Sequence, residues 1–175
     1  MRLFIALWPD NESATQLSRL ASMAHKSCGG RVMGQHNLHL TIAFLGRVNK
    51  HLHTRLVNDF ANWYVPESVF TLNTIGYFER PRVVWAGVSN PLERRHLTDI
   101  YDNMWDRLKS YGFRPEERPF EPHISLLRNA EYNNFSRVKM ESIVCRPKRC
   151  FLVASNPTPN KTNYEVLSEL SVQGV

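Results

Sequence analysis

Two short segments of the sequence each place a histidine two residues before a side chain that bears a hydroxyl. The first contains His39 and Thr41, and the second contains His123 and Ser125. In a β-strand, residues i and i+2 project from the same face, so each segment would present an imidazole beside a hydroxyl. Histidine has an unperturbed pKa of about 6.5, so near neutral pH one copy can take up a proton while another gives one up. The pattern therefore predicts a paired acid–base site.

Such a pair suits in-line attack on a phosphodiester. A base removes the proton of the attacking oxygen, and an acid on the opposite side protonates the oxygen that leaves. The hydroxyls of Thr41 and Ser125 would donate hydrogen bonds to the non-bridging oxygens, and Arg128, three residues after Ser125, would add a positive charge. This scheme requires no metal ion and no cofactor.

Each of these residues could instead be structural. A single histidine in an apolar strand is usually half-buried and hydrogen-bonded, and a lone serine usually bonds to local backbone groups. Two copies of the same pair favour a site. His36 and His39 have a spacing that could bind metal on a helix, but on a strand an odd spacing points them to opposite faces, so no metal site is predicted.

Several aromatic residues could stack a nucleobase, as aromatic side chains do for single-stranded RNA, although most aromatic residues lie in the core. Phe4, Phe44, Trp85, Phe120 and Tyr164 could each do so, and Phe4, Phe44 and Tyr164 are kept as the candidates for base stacking or for lining a cleft. The sequence has neither a P-loop nor a dinucleotide-binding fingerprint.

Apolar and β-branched runs predict the strands that would carry these residues, and apolar spacings of three and four predict helices between them. The predicted strands are Leu3–Trp8, Leu38–Leu45, Phe70–Phe78, Val83–Val88, His123–Leu127, Cys150–Ala154 and Tyr164–Leu170. Three helices are predicted after Asp10 or Asn11, from Leu52 towards Pro66, and between Pro91 and Gly112, with a short helical stretch at Phe135–Met140. A hairpin connection is predicted at Glu79–Arg82, and a loop at Asn156–Asn160.

Adjacent strand-rich stretches favour antiparallel pairing and hence an α+β class. No composition shift or Gly/Ser linker divides residues 1–175, so a single domain is expected. The helix and strand that lead to His123 echo the portion that carries His39, which suggests two similar lobes facing each other.

The charge balance allows nucleic acid as a partner. The chain has 22 Lys and Arg against 16 Asp and Glu, a net charge of +6, without the block of like charges that marks a polybasic tail. No apolar run is long enough to span a bilayer or to form a signal peptide, and no membrane partner is expected. Three cysteines without zinc-site spacing favour free thiols in the reducing cytoplasm.

The segments 39–46 (HLTIAFLG) and 118–128 (RPFEPHISLLR) resemble the paired H-x-[ST] motifs of the 2H phosphoesterases, and within them the bacterial RNA 2′,3′-cyclic phosphodiesterases, also called 2′-5′ RNA ligases. The likeness extends over nearly the whole chain, including the segments 2–6 (RLFIA), 82–85 (RVVW) and 162–164 (TNY). It implies a bilobal α+β fold with pseudo-twofold symmetry, in which antiparallel sheets line a central cleft and helices lie outside.

The resemblance also implies roles. His39 would donate a proton to the leaving 3′ oxygen, and His123 would accept one from the attacking water, which yields a 2′-phosphomonoester. Run backwards, the same pair would join a 5′-hydroxyl to a cyclic phosphate in a 2′-5′ bond. Ser125 stands where close relatives commonly have threonine and keeps the hydroxyl, whereas Asn163 stands where some relatives have arginine.

Hydrolysis of RNA 2′,3′-cyclic phosphate ends by a monomer without an obligate protein partner is thus the expected function. Two alternatives stay open: a non-catalytic module that binds RNA ends, and the same chemistry on a small cyclic nucleotide or a 2′-5′ oligoadenylate. A pure binder would need hydrogen-bond donors but no matched acid–base pair, which favours the enzyme.

Overall fold

The computed structural model describes residues 2–157 and 162–173, without the side chains of residues 132–134, 157, 162, 171 and 173. The helices within these residues are α1 (Asn11–Cys28), α2 (Lys50–Phe60) and α3 (Pro91–Lys109), with 3-10 helices at Gln35–Asn37 and Tyr132–Arg137. The strands are β1 (Arg2–Leu7), β2 (Arg31–Val32), β3 (Leu40–Arg47), β4 (Val65–Pro66), β5 (Phe70–Leu72), β6 (Thr74–Phe78), β7 (Val83–Gly87), β8 (His123–Arg128), β9 (Ile143–Cys145), β10 (Arg149–Pro157) and β11 (Thr162–Gln173).

One large sheet forms the centre of the molecule. Its strands follow the order β4, β11, β10, β1, β3, β8, β7, β6, and β2 pairs with β8 beside this path. Among the described strands β4 pairs parallel with β11, and the other neighbours run antiparallel. The predicted α+β class with antiparallel pairing is confirmed. The two histidine-bearing segments come together at the β3–β8 junction, where Leu40 lies opposite Ile124.

The two faces of the sheet have different roles. On β1, Leu3, Ile5 and Leu7 point into the main core, which also holds the apolar faces of the three α-helices. The alternate residues Phe4 and Ala6 lie on the other face, in a smaller cluster with aromatic neighbours. Strand alternation therefore separates a face that stabilises the fold from a face that can hold a site.

Each α-helix starts at a residue that caps its free amides. The side chain of Asp10 accepts a hydrogen bond from the Ser13 amide at 3.0 Å. Asn49 caps α2 and Asn90 caps α3 in the same way. Side-chain capping of this kind typically stabilises a helix by about 1 kcal/mol.

The structure corrects several predicted elements. The single predicted strand Phe70–Phe78 is wrong, because it breaks at Asn73: β5 pairs with β9 in a separate two-stranded sheet, whereas β6 pairs with β7. The second helix ends at Phe60 and not near Pro66. A 3-10 helix at Tyr132–Arg137 replaces the helical stretch predicted at Phe135–Met140.

Other differences concern short strands and connections. The sequence did not predict β2, β4 and β9, which are two or three residues long. The predicted hairpin between β6 and β7 is present. Of the predicted loop at Asn156–Asn160, residues 158–160 lie outside the described residues. In the described part of the chain, every helix is too short or too polar to cross a membrane.

Candidate active site

The register of β3 and β8 brings the two predicted pairs together. Leu40 lies opposite Ile124 in an antiparallel pair, and both are buried in the core. One further step along this register places His39 opposite Ser125 and Thr41 opposite His123, all on the other face. Opposite residues have Cβ atoms about 4.5–5.5 Å apart, and diagonal neighbours lie about 7–8 Å apart. Each histidine therefore faces the hydroxyl of the other strand, and the two imidazoles are diagonal neighbours across the strand pair.

β-bulges add two more residues to this face. On β8 the pairing with β7 skips Leu126, so Leu126 and Leu127 are both buried and Arg128 returns to the face of His123. Strict alternation would have placed Arg128 on the opposite face. On β3 the register shifts twice against β1, which sets Thr41 opposite Ala6 and Phe44 opposite Phe4.

The ring of His39 packs against aromatic side chains. Its ring centroid lies 4.9 Å from those of Phe4 and Trp8, at interplanar angles of 27° and 24°. The Tyr164 ring meets it edge-on at 5.4 Å. The indole Nε1–H of Trp8 donates to the His36 carbonyl at 2.9 Å, which fixes the position of the indole beside His39.

His123 has a more open aromatic surrounding. Its ring lies 4.9 Å from Phe78, edge-on, and 5.8 Å from Trp85. The Trp85 indole lies across two glycines: a Cβ on Gly76 would fall 2.0 Å from Trp85 Cζ2, and one on Gly87 would fall 2.4 Å from Cζ3. Glycine at both positions therefore makes room for the ring that contacts His123.

The two histidines share the same backbone contact. Nδ1 of His39 lies 2.7 Å from the Asn37 carbonyl oxygen, and Nδ1 of His123 lies 2.7 Å from the Glu121 carbonyl oxygen. A carbonyl oxygen can only accept, so Nδ1 carries the proton in both rings and donates it. In each ring Nε2 is then the nitrogen that can exchange a proton with a substrate.

Burial disfavours the charged form of both rings. It lowers the pKa of His39 to about 4, against the hydrogen bond to Asn37, and Arg128 and His123 lower it further. The pKa of His123 is also lowered, mainly by burial, while the hydrogen bond and the charge of Glu121 oppose the shift. Because Arg128 acts on both histidines, its guanidinium lies within electrostatic reach of the whole site.

An ion pair supports the His123 side. Arg94 donates to both carboxylate oxygens of Glu121, at 2.6 and 3.0 Å, and to the Val88 carbonyl at 2.9 Å. Bidentate pairs of this kind hold their geometry well. Arg94 thus fixes the residue whose carbonyl orients His123 and whose charge acts on it.

Two cavities adjoin the site, one at His39 and the other at Thr41 and His123. The basic cavity, about 1190 Å³ including the open space at its mouth, adjoins His39 and is lined by Phe4, Tyr164 and three arginines, Arg2, Arg47 and Arg128. The aromatic cavity, about 600 Å³ including its mouth, adjoins Thr41 and His123 and is lined by Phe78, Tyr101, Trp105, Arg118 and Phe120. Phe44, 53% exposed, borders both.

The three aromatic candidates from the sequence occupy different places. Phe4 is 3% exposed and forms the floor under His39, whereas Tyr164 is half-buried at its edge. Phe44 presents the most exposed ring of the three at the boundary of the cavities. Phe120 borders the aromatic cavity, and Trp85 contacts His123.

Sequence reasoning missed Trp8 and the Arg94–Glu121 pair. The signal for Trp8 was present, since Phe4 and Trp8 are four residues apart on one predicted strand and share a face. The ion pair joins residues 27 positions apart and leaves no local signal. No group of three His, Cys, Asp or Glu side chains able to hold a metal ion occurs in the residues that the structure describes.

Comparisons with known proteins point in one direction. The profile of a family described as LigT like Phosphoesterase matches residues 7–85. An RNA 2′,3′-cyclic phosphodiesterase of Thermotoga maritima is 30% identical, over 99% of this chain and 97% of its own length. The Escherichia coli protein of the same name is 33% identical, over 74% and 72%. The crystal structure of E. coli LigT in apo form is similar with a TM-score of 0.79 at 28% identity, covering 98% of this chain and 96% of that one.

Proposed function

The chain belongs to the family of LigT-like RNA 2′,3′-cyclic phosphodiesterases, and we propose from this premise that it hydrolyses 2′,3′-cyclic phosphate ends of RNA to 2′-phosphomonoesters. One observation carries the proposal: both histidines have Nδ1 held by a backbone carbonyl and flank one residue pair of the sheet. A matched acid–base pair is what this reaction needs.

In the proposed mechanism the phosphate lies over the four side chains of the site. Nε2 of His123 accepts a proton from the attacking water, and Nε2 of His39 donates one to the 3′ oxygen as its bond to phosphorus breaks. Thr41 and Ser125 donate hydrogen bonds to the non-bridging oxygens, and Arg128 stabilises the charge that builds on them. The 3′ oxygen leaves as a hydroxyl, and the phosphate stays on the 2′ oxygen.

The positions of the cavities support this division of roles. The basic cavity adjoins His39 and would hold the nucleoside and the phosphates of the chain that precedes it, because three arginines line it. We further propose that residues 1–175 form a single domain whose two lobes meet at the β3–β8 junction. The same acid–base pair would also allow 2′-5′ ligation, with hydrolysis favoured because water needs no binding site.

The test is hydrolysis of a short oligoribonucleotide with a 2′,3′-cyclic phosphate end, in excess chelator, with the product isomer identified. Each histidine would contribute about 10²- to 10⁴-fold in rate. His39→Ala and His123→Ala should each lose this factor while RNA binding stays close to normal. His51→Ala, at an exposed position on α2, is the matched control and should react like the unchanged protein.

Full activity in either site variant would refute the paired mechanism. RNA binding without turnover by the unchanged protein would instead favour a module that binds RNA ends. Turnover of 2′,3′-cyclic AMP or of a 2′-5′ oligoadenylate without turnover of the oligonucleotide would favour the small-substrate alternative.

A further inference from the structure

The aromatic cavity has no role in hydrolysis as proposed above. Water is small and needs no aromatic wall, and the nucleoside of the cyclic phosphate is assigned to the basic cavity. Yet the aromatic cavity opens directly on Thr41 and His123.

The walls of this cavity suit a nucleobase. The rings of Tyr101 and Phe120 are stacked, with centroids 4.4 Å apart and an interplanar angle of 18°. The guanidinium of Arg118 lies 6.0 Å from the Phe78 ring centroid, so a cation stands beside the aromatic surface. Trp105 is 3% exposed, and its indole N–H lacks a hydrogen-bond partner among the described residues. Stacking surfaces with a nearby cation are the usual means of holding single-stranded nucleic acid.

In-line geometry determines which nucleoside can enter. The leaving 3′ oxygen belongs to the nucleoside on the His39 side, so the attacking oxygen must approach from the opposite side, where His123 lies. Any group attached to the attacking oxygen then extends away from His39 and into the aromatic cavity.

We propose that the aromatic cavity binds the nucleoside whose 5′-hydroxyl attacks the cyclic phosphate when a 2′-5′ bond is formed. This inference rests on the function proposed above. The 5′ oxygen bonds to phosphorus as the bond from phosphorus to the 3′ oxygen breaks. The proton of the 5′-hydroxyl passes to Nε2 of His123, and Nε2 of His39 gives a proton to the 3′ oxygen. No other reactant is consumed, and cleavage of a 2′-5′ bond follows the same path in reverse.

The experiment compares three acceptors for one oligonucleotide with a 2′,3′-cyclic phosphate end: water, methanol, and a dinucleotide with a free 5′-hydroxyl. Methanol has an attacking hydroxyl but no nucleobase, so its rate of transfer measures the chemical step without binding in the aromatic cavity. The informative variant is Tyr101→Leu, which removes one stacking ring and keeps an apolar side chain. Tyr101→Phe keeps the ring, and Tyr64→Leu makes the same substitution at an exposed site outside both cavities.

Tyr101→Leu should lower the initial rate of transfer to the dinucleotide by about fivefold or more, and change hydrolysis and methanolysis by less than about twofold. The two control variants should transfer like the unchanged protein. An equal loss with all three acceptors, or no loss with the dinucleotide, would overturn the inference. Hydrolysis by the unchanged protein without any 2′-5′ product at saturating dinucleotide would overturn it and leave the proposed function standing, whereas absence of hydrolysis would overturn both.

Discussion

His39 should receive its proton because the substrate is bound. In the free protein burial against Phe4 and Trp8 lowers the pKa of His39 to about 4, so on the order of one ring in a thousand is protonated at pH 7. A phosphate anion about 4 Å away stabilises the imidazolium by about 4 kcal/mol at an effective dielectric constant of about 20. This energy equals about three pKa units. Binding of the anion should therefore return the pKa of His39 to about 7.

The assay is an NMR titration of the ¹⁵N-labelled imidazoles, with and without saturating 2′-AMP as the product phosphate. His39→Gln identifies the signal of this residue by its disappearance. We expect the free ring to titrate near 4 and the bound ring to titrate about three units higher. A free ring that titrates near its ordinary value would refute the effect of burial, and a bound ring that stays near 4 would refute its role as the acid.

The same burial should make the folded protein sensitive to acid. The pKa of His39 is about 4 in the folded protein, against an ordinary value of 6.5 that the exposed ring regains when the chain unfolds, so the unfolded chain binds this proton first as the pH falls. The stability that depends on a neutral ring is therefore present above pH 6.5 and is lost as the pH falls through about 4. The difference corresponds to about 3 kcal/mol. Urea unfolding at pH 7 and pH 4 measures how much unfolding free energy is lost over this range. The loss should be larger by about this amount in the unchanged protein than in His39→Gln, and equal losses in the two proteins would contradict the prediction.

Two further predictions concern the surroundings of the second histidine. Gly76→Ala should clash with the Trp85 indole that lies across it and destabilise the fold by roughly 1–3 kcal/mol. The control Gly34→Ala, where no atom lies closer than 4.0 Å to the added Cβ, should leave the midpoint of urea unfolding unchanged. Equal midpoints for the two variants would show that the indole moves freely. Glu121→Gln should lower the pKa of His123 and move the acid limb of the pH–rate profile to lower pH, since a negative charge is removed. Arg94→Met should move that limb to higher pH, because it exposes the Glu121 charge, and shifts in the same direction would contradict this account.

Strand alternation predicted the shared face of each histidine and its hydroxyl, and the β3–β8 register places both pairs on one face of the sheet. The roles of these residues stay a prediction. Alternation of side chains every two residues was enough to predict this face, because the segments His39–Thr41 and His123–Ser125 lie before the bulges of their strands.

The same rule fails further along both strands. Arg128 and Phe44 reach the site face only because bulges at Leu126 and within β3 change the phase of the alternation. A bulge depends on how two strands distant in sequence fit against each other, so neither strand alone encodes it. The break at Asn73 has the same origin, since β5 finds its partner in β9, far along the chain beyond α3 and β8.

The backbone contacts of the two histidines bear on how the site tolerates genetic change. Every amino acid has a main-chain carbonyl, so no substitution at position 37 or 121 can delete the group that accepts the Nδ1 proton. Point mutations can therefore alter the charge and packing around each imidazole while its tautomer stays the same. The side chain at position 121 is in this way released for a second task, the pairing with Arg94, and variation there would tune the rate of reaction without first abolishing it.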